Sequence, residues 1–93
     1  MDYEFLKKNG TFLGEHDIYD GYIYCGTKKY YLYNNILYVR EEPDNRTSYR
    51  GRTQTYILID NVKEEVNQKS EMYFCEYLNL PEEAYNNLCN VCK

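Results

Sequence analysis

The chain has 93 residues, a formal net charge of −4 and 17% aromatic side chains, thirteen of them tyrosines and none tryptophan. That length gives one domain, 1–93, whose small core buries about 60–65% of the surface of the unfolded chain. A hydrophobic share of 43% excludes intrinsic disorder, no apolar run nears the roughly 18 residues of a membrane span, and one His without a cofactor fingerprint points away from an enzyme.

The N-terminal stretch Met1-Asp2-Tyr3-Glu4 is acidic and lacks the apolar segment of a signal peptide, which sets the expectation of a cytoplasmic protein of a bacterial host. Tyr3, Phe5 and Leu6 can open either a strand or a short helix. Asn9-Gly10 is a turn signal, and Thr11-Phe12-Leu13 reads as a short strand. His16, between Glu15 and Asp17 in an unassigned stretch, has the neighbours of an oriented general base, but no nucleophile elbow, glycine-rich phosphate loop or His-x-x-x-His pair accompanies it.

Asp20 to Glu41 is the most patterned segment. Gly26-Thr27 and Asn34-Asn35 both suit two-residue hairpin turns, which predicts a meander over 20–41 with strands at 20–25, 28–33 and 36–41. Two-residue turns fix register. Ile23, Tyr30 and Val39 then align, as do Tyr22, Tyr31 and Tyr38, then Gly21, Leu32 and Leu37, and finally Tyr24, Lys29 and Arg40. Alternation of side chains gives a core face of Ile23, Cys25, Tyr30, Leu32, Leu37 and Val39. The opposite face holds Tyr22, Tyr24, Tyr31, Tyr33, Ile36 and Tyr38, edged by Lys29 and Arg40.

Residues 42–52 form a loop of turn formers carrying Arg46, Tyr49, Arg50 and Arg52, a candidate grip for phosphates or carboxylates. A strand follows at 53–60, with apolar residues on both sides as in an interior strand. Asp60-Asn61 can cap a short helix over 62–69. Met72 to Leu78 is β-prone and reads as a fifth strand, with a continued helix as the alternative. Asn79-Leu80-Pro81-Glu82 resembles a capped helix start, and Ala84, Leu88 and Val91 form one stripe of a C-terminal helix 82–92. The fold class is thus α+β: an antiparallel sheet of four to five strands with a C-terminal helix.

Cys89-x-x-Cys92 has zinc-knuckle spacing but no second close pair. The pair sits at the end of the expected helix, where the dipole opposes thiolate formation, so four reduced thiols and no metal or other cofactor are expected. Charge is segregated: residues 1–27 carry net −3, 28–52 net +3 and 53–93 net −4.

Tyrosine joins large apolar area to low entropy loss on fixing, as binding surfaces require. The expected function is therefore stoichiometric protein–protein binding without catalysis, through Tyr22, Tyr24, Lys29, Tyr31, Tyr33, Tyr38 and Arg40. Acidic patches would complement a basic, nucleic-acid-handling host protein by occupying its phosphate sites. Ten Asn beside a single Ala follow AT-rich codons. This small, acidic profile is similar to that of phage or mobile-element proteins that inhibit host defences by binding. The alternative is a single-stranded nucleic-acid module that stacks bases on the tyrosine face and holds phosphates with the arginine loop. The opposing possibility for the tyrosines is that residues 1–19 or the C-terminal helix cover them as core.

Overall fold

The structure is a computed structural model, and it describes residues 1–44 and 51–92. Helix α1 spans Tyr3–Asn9, followed by strands β1 (Thr11–Asp20), β2 (Ile23–Tyr33), β3 (Ile36–Pro43) and β4 (Gln54–Ile59). Helix α2 covers Val62–Gln68, a π-helical turn covers Tyr73–Tyr77, and helix α3 covers Glu82–Cys92. The four strands form one antiparallel sheet in the order β1-β2-β3-β4. The α+β class, the meander and the C-terminal helix are as the sequence predicts.

The central hairpin keeps its expected register. Asn34 and Asn35, with φ of 53° and 65°, form the β2–β3 turn, since asparagine tolerates the left-handed backbone this turn demands. Tyr30 pairs with Val39, Tyr31 with Tyr38, Leu32 with Leu37 and Lys29 with Arg40. The first turn lies elsewhere. Gly26 and Thr27 are inside β2, and β1 reverses into β2 at Gly21-Tyr22. Gly21 takes φ +65° in open space. Gly26 instead serves a bulge: Ile18 pairs with Gly26 and Tyr19 with Tyr24, leaving Cys25 as the extra residue. With φ +142°, a Cβ at Gly26 would stand 2.5 Å from the Glu42 carbonyl oxygen and 2.7 Å from the Pro43 Cα. The glycine admits β3 rather than turning the chain. The expected alignment of Gly21, Tyr22, Ile23 and Tyr24 with the central hairpin is therefore replaced by pairing of β2 with β1.

One sheet face presents Leu13, Tyr30, Leu32, Leu37, Val39 and Ile59, covered by Val62, Phe74, Leu80, Ala84 and Leu88 from the helical C-terminal third. Leu13 occupies a β1 bulge between the Phe12–Tyr31 and Gly14–Tyr30 pairs, and its carbonyl accepts a 2.5 Å hydrogen bond from Asn87 Nδ2 of α3. The other face is covered by α1, whose Leu6 packs with Tyr31 and Tyr38. Asp2 caps this helix, accepting from the Glu4 amide at 3.2 Å, and Glu4 in the first turn with Lys7 and Lys8 in the last suit the helix dipole.

Three further expectations are corrected. β4 is an edge strand, not an interior one. A bulge at Leu58, between the Leu37–Ile59 and Tyr38–Ile57 pairs, lets Tyr56, Leu58 and Ile59 all reach the core while Ile57 faces out. Residues 72–78 form a helical turn, not a strand. Only Phe74 is deeply buried there, and the spacing that stacks Tyr73 on Tyr77 is helical, so tertiary packing overrides the β preference of aromatics. Asn79 is not a helix cap: at φ 57° it ends the π-helical turn, and α3 starts with the Tyr85 amide donating to the Pro81 carbonyl at 2.9 Å.

The two turn-related glycines give a paired test by urea denaturation. Gly26→Ala combines positive φ with a backbone clash and is expected to cost at least about 3 kcal/mol, whereas Gly21→Ala, strained but unobstructed, should cost about 1 kcal/mol. Phe74→Ala is expected to cost about 3–5 kcal/mol, a large share of the stability of a domain this size, read as a lowered urea midpoint.

Candidate functional site

The β1–β2 hairpin outruns the rest of the sheet. Its last pairing to β3 is Gly26 with Pro43, supported by the Asp44 amide donating to the Cys25 carbonyl at 2.9 Å. Beyond that point Ile18–Tyr24 continue as a two-stranded ribbon, with no third strand beside them among the described residues. Tyr19 and Tyr24 face each other across it, ring centroids 5.9 Å apart and planes at 69°. The Tyr24 hydroxyl is 2.6 Å from Thr27 Oγ1, which orients the ring. Tyr22 is fully exposed at 102%, and Ile23 is 57% exposed. Four large side chains thus gather on an arm that has no core of its own to bury them. Asp17 and Asp20 flank them, both exposed and without an ion pair among the described residues.

The Cys25 bulge creates this tip. By adding one residue to β2 it sets Tyr24 opposite Tyr19 and turns Cys25 inward, 2% exposed. Ile23, expected on the core face, is exposed instead, and Tyr19 carries no mark in the expected pattern, because the reversal lies at Gly21-Tyr22 and not at Gly26-Thr27. The signal that marks them is Asp20-Gly21, a hairpin dipeptide between aromatic and β-branched residues.

The remaining predicted partner-binding residues occupy different surroundings. Tyr31 and Tyr38 lie beneath α1, 5% and 6% exposed. Tyr33 is half-buried, its ring edge-on to Phe5 at 5.3 Å. Lys29 Nζ is 2.7 Å from Glu42 Oε1, and Arg40 Nε is 3.7 Å from Glu42 Oε2. The Arg40 guanidinium also donates to Thr55 Oγ1 at 3.0 Å and lies 4.2 Å from the Tyr3 ring centre. Helix α1 therefore converts an open aromatic face into interior. Of the loop candidates, Arg52 is exposed just before β4, while Arg46, Tyr49 and Arg50 lie outside the described residues.

A polar hollow of about 370 Å³ persists between α1 and the sheet, lined by Tyr3, Lys7, Phe12, Glu15, Lys29, Tyr31 and Glu42. Its groups answer one another. The hydrogen bond from Lys29 holds the Glu42 carboxyl below the usual glutamate range, and Glu42 in turn raises Lys29. Burial, then the Tyr3 hydroxyl 3.3 Å away, pushes the Tyr31 phenol up. Outside the hollow, burial opposes ionisation of Glu41, but hydrogen bonds from Gln54 and Tyr56 and the charge of Lys28 outweigh it and hold its carboxyl low. Burial, followed by Lys28, lowers the His16 imidazole, whose ring packs 5.7 Å from Tyr30. That shift favours the neutral imidazole.

Cys89 and Cys92 lie on α3, and burial raises the Cys92 thiol. Among the described residues no group of three or more His, Cys, Asp or Glu is placed to hold a metal ion. A second aromatic patch lies on the π-helical turn, where Tyr73 and Tyr77 stack at 5.4 Å with planes 15° apart. They border a shallow hollow of about 460 Å³ with Ser70, Met72 and Glu76. Among the described residues no helix is long and apolar enough to cross a membrane. The chain matches no protein-family model, no curated protein and no solved structure.

Glu41 and Glu42 dictate a pH dependence of stability. Both carboxyls sit below the ordinary value of 4.5 in the folded protein, so their contribution is complete above that value and disappears as pH falls through their folded values. Thermal melts between pH 6 and pH 3 are expected to show a falling midpoint, and Glu41→Gln with Glu42→Gln should flatten the part of that fall these two groups cause.

Proposed function

We propose that the protein acts by stoichiometric binding to another protein, with the β1–β2 hairpin tip as its contact surface. The observation that carries this reading is the exposure of Tyr19, Tyr22, Ile23 and Tyr24 together on a ribbon that projects past the sheet. Exposed aromatic clusters of this kind supply the anchors that dominate binding energy in protein interfaces. The ribbon is anchored at its base by β3, so the tip reaches a partner with most of its backbone order already in place.

The partner in this reading is basic. Asp17 and Asp20 flank the rings, Lys28 at the base of the ribbon is held 3.6 Å from Glu41, and burial disfavours the charged form of His16. An acidic rim around aromatic anchors suits a cationic groove, such as the phosphate-binding surface of a nucleic-acid-handling enzyme. Blocking that groove would inhibit the enzyme without chemistry. Base stacking on the sheet gains nothing from this arrangement, because Tyr31 and Tyr38 are covered and Lys29 and Arg40 are committed to Glu42.

Affinity capture from bacterial lysate, comparing the wild type with a Tyr22→Ala, Ile23→Ser double variant, tests the reading. Both side chains are exposed, so the melting temperature should be unchanged. A specific partner is expected to bind the wild type and to lose at least about thirtyfold in affinity for the variant (~2 kcal/mol). Its binding should also weaken with salt. Equal recovery by both proteins, or no partner for the wild type, overturns the proposal.

A further inference from the structure

The hollow beside α1 draws its walls from α1, β1, β2 and β3. Tyr31 stands at its back, with the Tyr3 ring edge-on to it at 5.9 Å and the Phe12 ring tilted 57° against it at 5.3 Å. The three rings make an apolar corner in which Phe12 is still 50% exposed. Charged groups of both signs line the hollow in equal number, Lys7 and Lys29 against Glu15 and Glu42. Lys29 is committed to Glu42 at 2.7 Å, and the Tyr3 and Tyr31 hydroxyls answer each other at 3.3 Å. Two charges are then left, one from the helix and one from the sheet. Lys7 pairs with Glu4 at 3.5 Å and lies 5.2 Å from the Tyr3 ring centre; an exposed i,i+3 ion pair of this kind gives way readily. Glu15 is exposed and forms no ion pair among the described residues. Its charge reaches its cross-strand neighbour Lys29, which Glu42 already holds.

We propose that this hollow binds a free α-amino acid with an apolar side chain. A lining whose charges cancel disfavours a purely anionic or purely cationic ligand, whereas a zwitterion brings one group of each sign. Lys7 takes the α-carboxylate and Glu15 the α-ammonium, each as a charge-assisted hydrogen bond. The side chain enters the corner of Tyr3, Tyr31 and Phe12 and covers the open Phe12 ring. A volume of about 370 Å³ stands at the lower end of small-ligand sites, roughly 300–1,000 Å³, as a single small metabolite requires. Lys29 and Glu42 keep their pairing and hold the floor, so binding asks only that Lys7 exchange Glu4 for the ligand. None of these residues belongs to the hairpin tip, and the site is independent of the protein contact proposed there.

Titration of isotope-labelled protein with L-phenylalanine and with L-leucine, followed by NMR, tests the site. The expected result is saturable shifts centred on Lys7, Phe12, Glu15 and Tyr31, with a dissociation constant below about 1 mM for at least one of the two. Three comparison compounds divide the recognition for the better ligand: its N-acetyl derivative lacks the ammonium, its amide lacks the carboxylate, and glycine lacks the side chain. Each should bind at least about tenfold more weakly. Glu15→Gln and Lys7→Met should each weaken the amino acid about tenfold. Glu15→Gln should also erase most of the preference over the N-acetyl derivative, and Lys7→Met most of the preference over the amide. Both side chains are exposed, and circular dichroism should report an unchanged fold. The absence of saturable shifts with both amino acids overturns the proposal. So does a comparison compound that binds as tightly as the amino acid, or a variant that keeps the wild-type affinity.

Discussion

The structure depends on a seven-residue helix seated on the second face of the sheet. One layer of helices covers a sheet on one side only, and here the remaining side would carry Tyr31, Tyr33, Ile36 and Tyr38. Helix α1 supplies the missing cover with Leu6, which is fully buried, and with Tyr3, whose ring stands edge-on to Tyr31 at 5.9 Å. A helix this short does not persist alone, so sheet and helix are mutually dependent. Arg40 completes the arrangement. Its guanidinium lies over Tyr3 while Glu42 balances its charge, so a cation in the strand is accommodated beside a largely aromatic face.

That arrangement also decides where apolar area is left over. Over the span that β3 reaches, Tyr30, Tyr31 and Tyr38 are covered, whereas Tyr19, Tyr22 and Tyr24 lie beyond it, on the hairpin extension. The Cys25 bulge and Gly26 mark the boundary. On one side of them the strands belong to the four-stranded sheet, and on the other β1 and β2 pair only with each other among the described residues. The tip is thus the product of one extra residue in β2 and one close backbone approach by Glu42 and Pro43, more than of any property of the tyrosines themselves.

Much of the fold was legible in the sequence where local chemistry and global packing agree. Asn34-Asn35 has one use, and it set the register of β2 and β3; the stripe of Ala84 and Leu88 marked α3; Gln54–Ile59 read as a strand by composition. What was illegible required knowing which neighbour arrives. Gly26 satisfies the requirements of a turn and of a bulge equally, and only the approach of β3 distinguishes them. Tyr31 and Tyr38 alternate onto a face whose exposure is settled by Tyr3–Asn9, a segment too short and too sparsely patterned to declare itself helical. Met72–Leu78 has strand-like composition, yet its packing offers a place for one ring, Phe74. The candidate site was therefore half visible: Tyr24 keeps the face of Tyr31 and Tyr33 but lies beyond the residues that α1 covers, while Tyr19 was unmarked and Ile23 was assigned to the core because the reversal was misplaced.

The second turn joins two parts of the molecule. The backbone carbonyl of Asn35 accepts from the Val62 amide at 3.0 Å, its side-chain oxygen accepts from the Lys63 amide at 2.9 Å, and its side-chain nitrogen donates to Asn61 Oδ1 at 2.8 Å. The first turn of α2 thereby finds acceptors for its orphan donors in the hairpin rather than in a cap of its own. The helix cannot fray without releasing the reversal, nor can the reversal open without exposing those amides. Hydrogen exchange across this joint would accordingly proceed through a shared opening event, making the middle of the sheet and the start of the helical third a single cooperative unit.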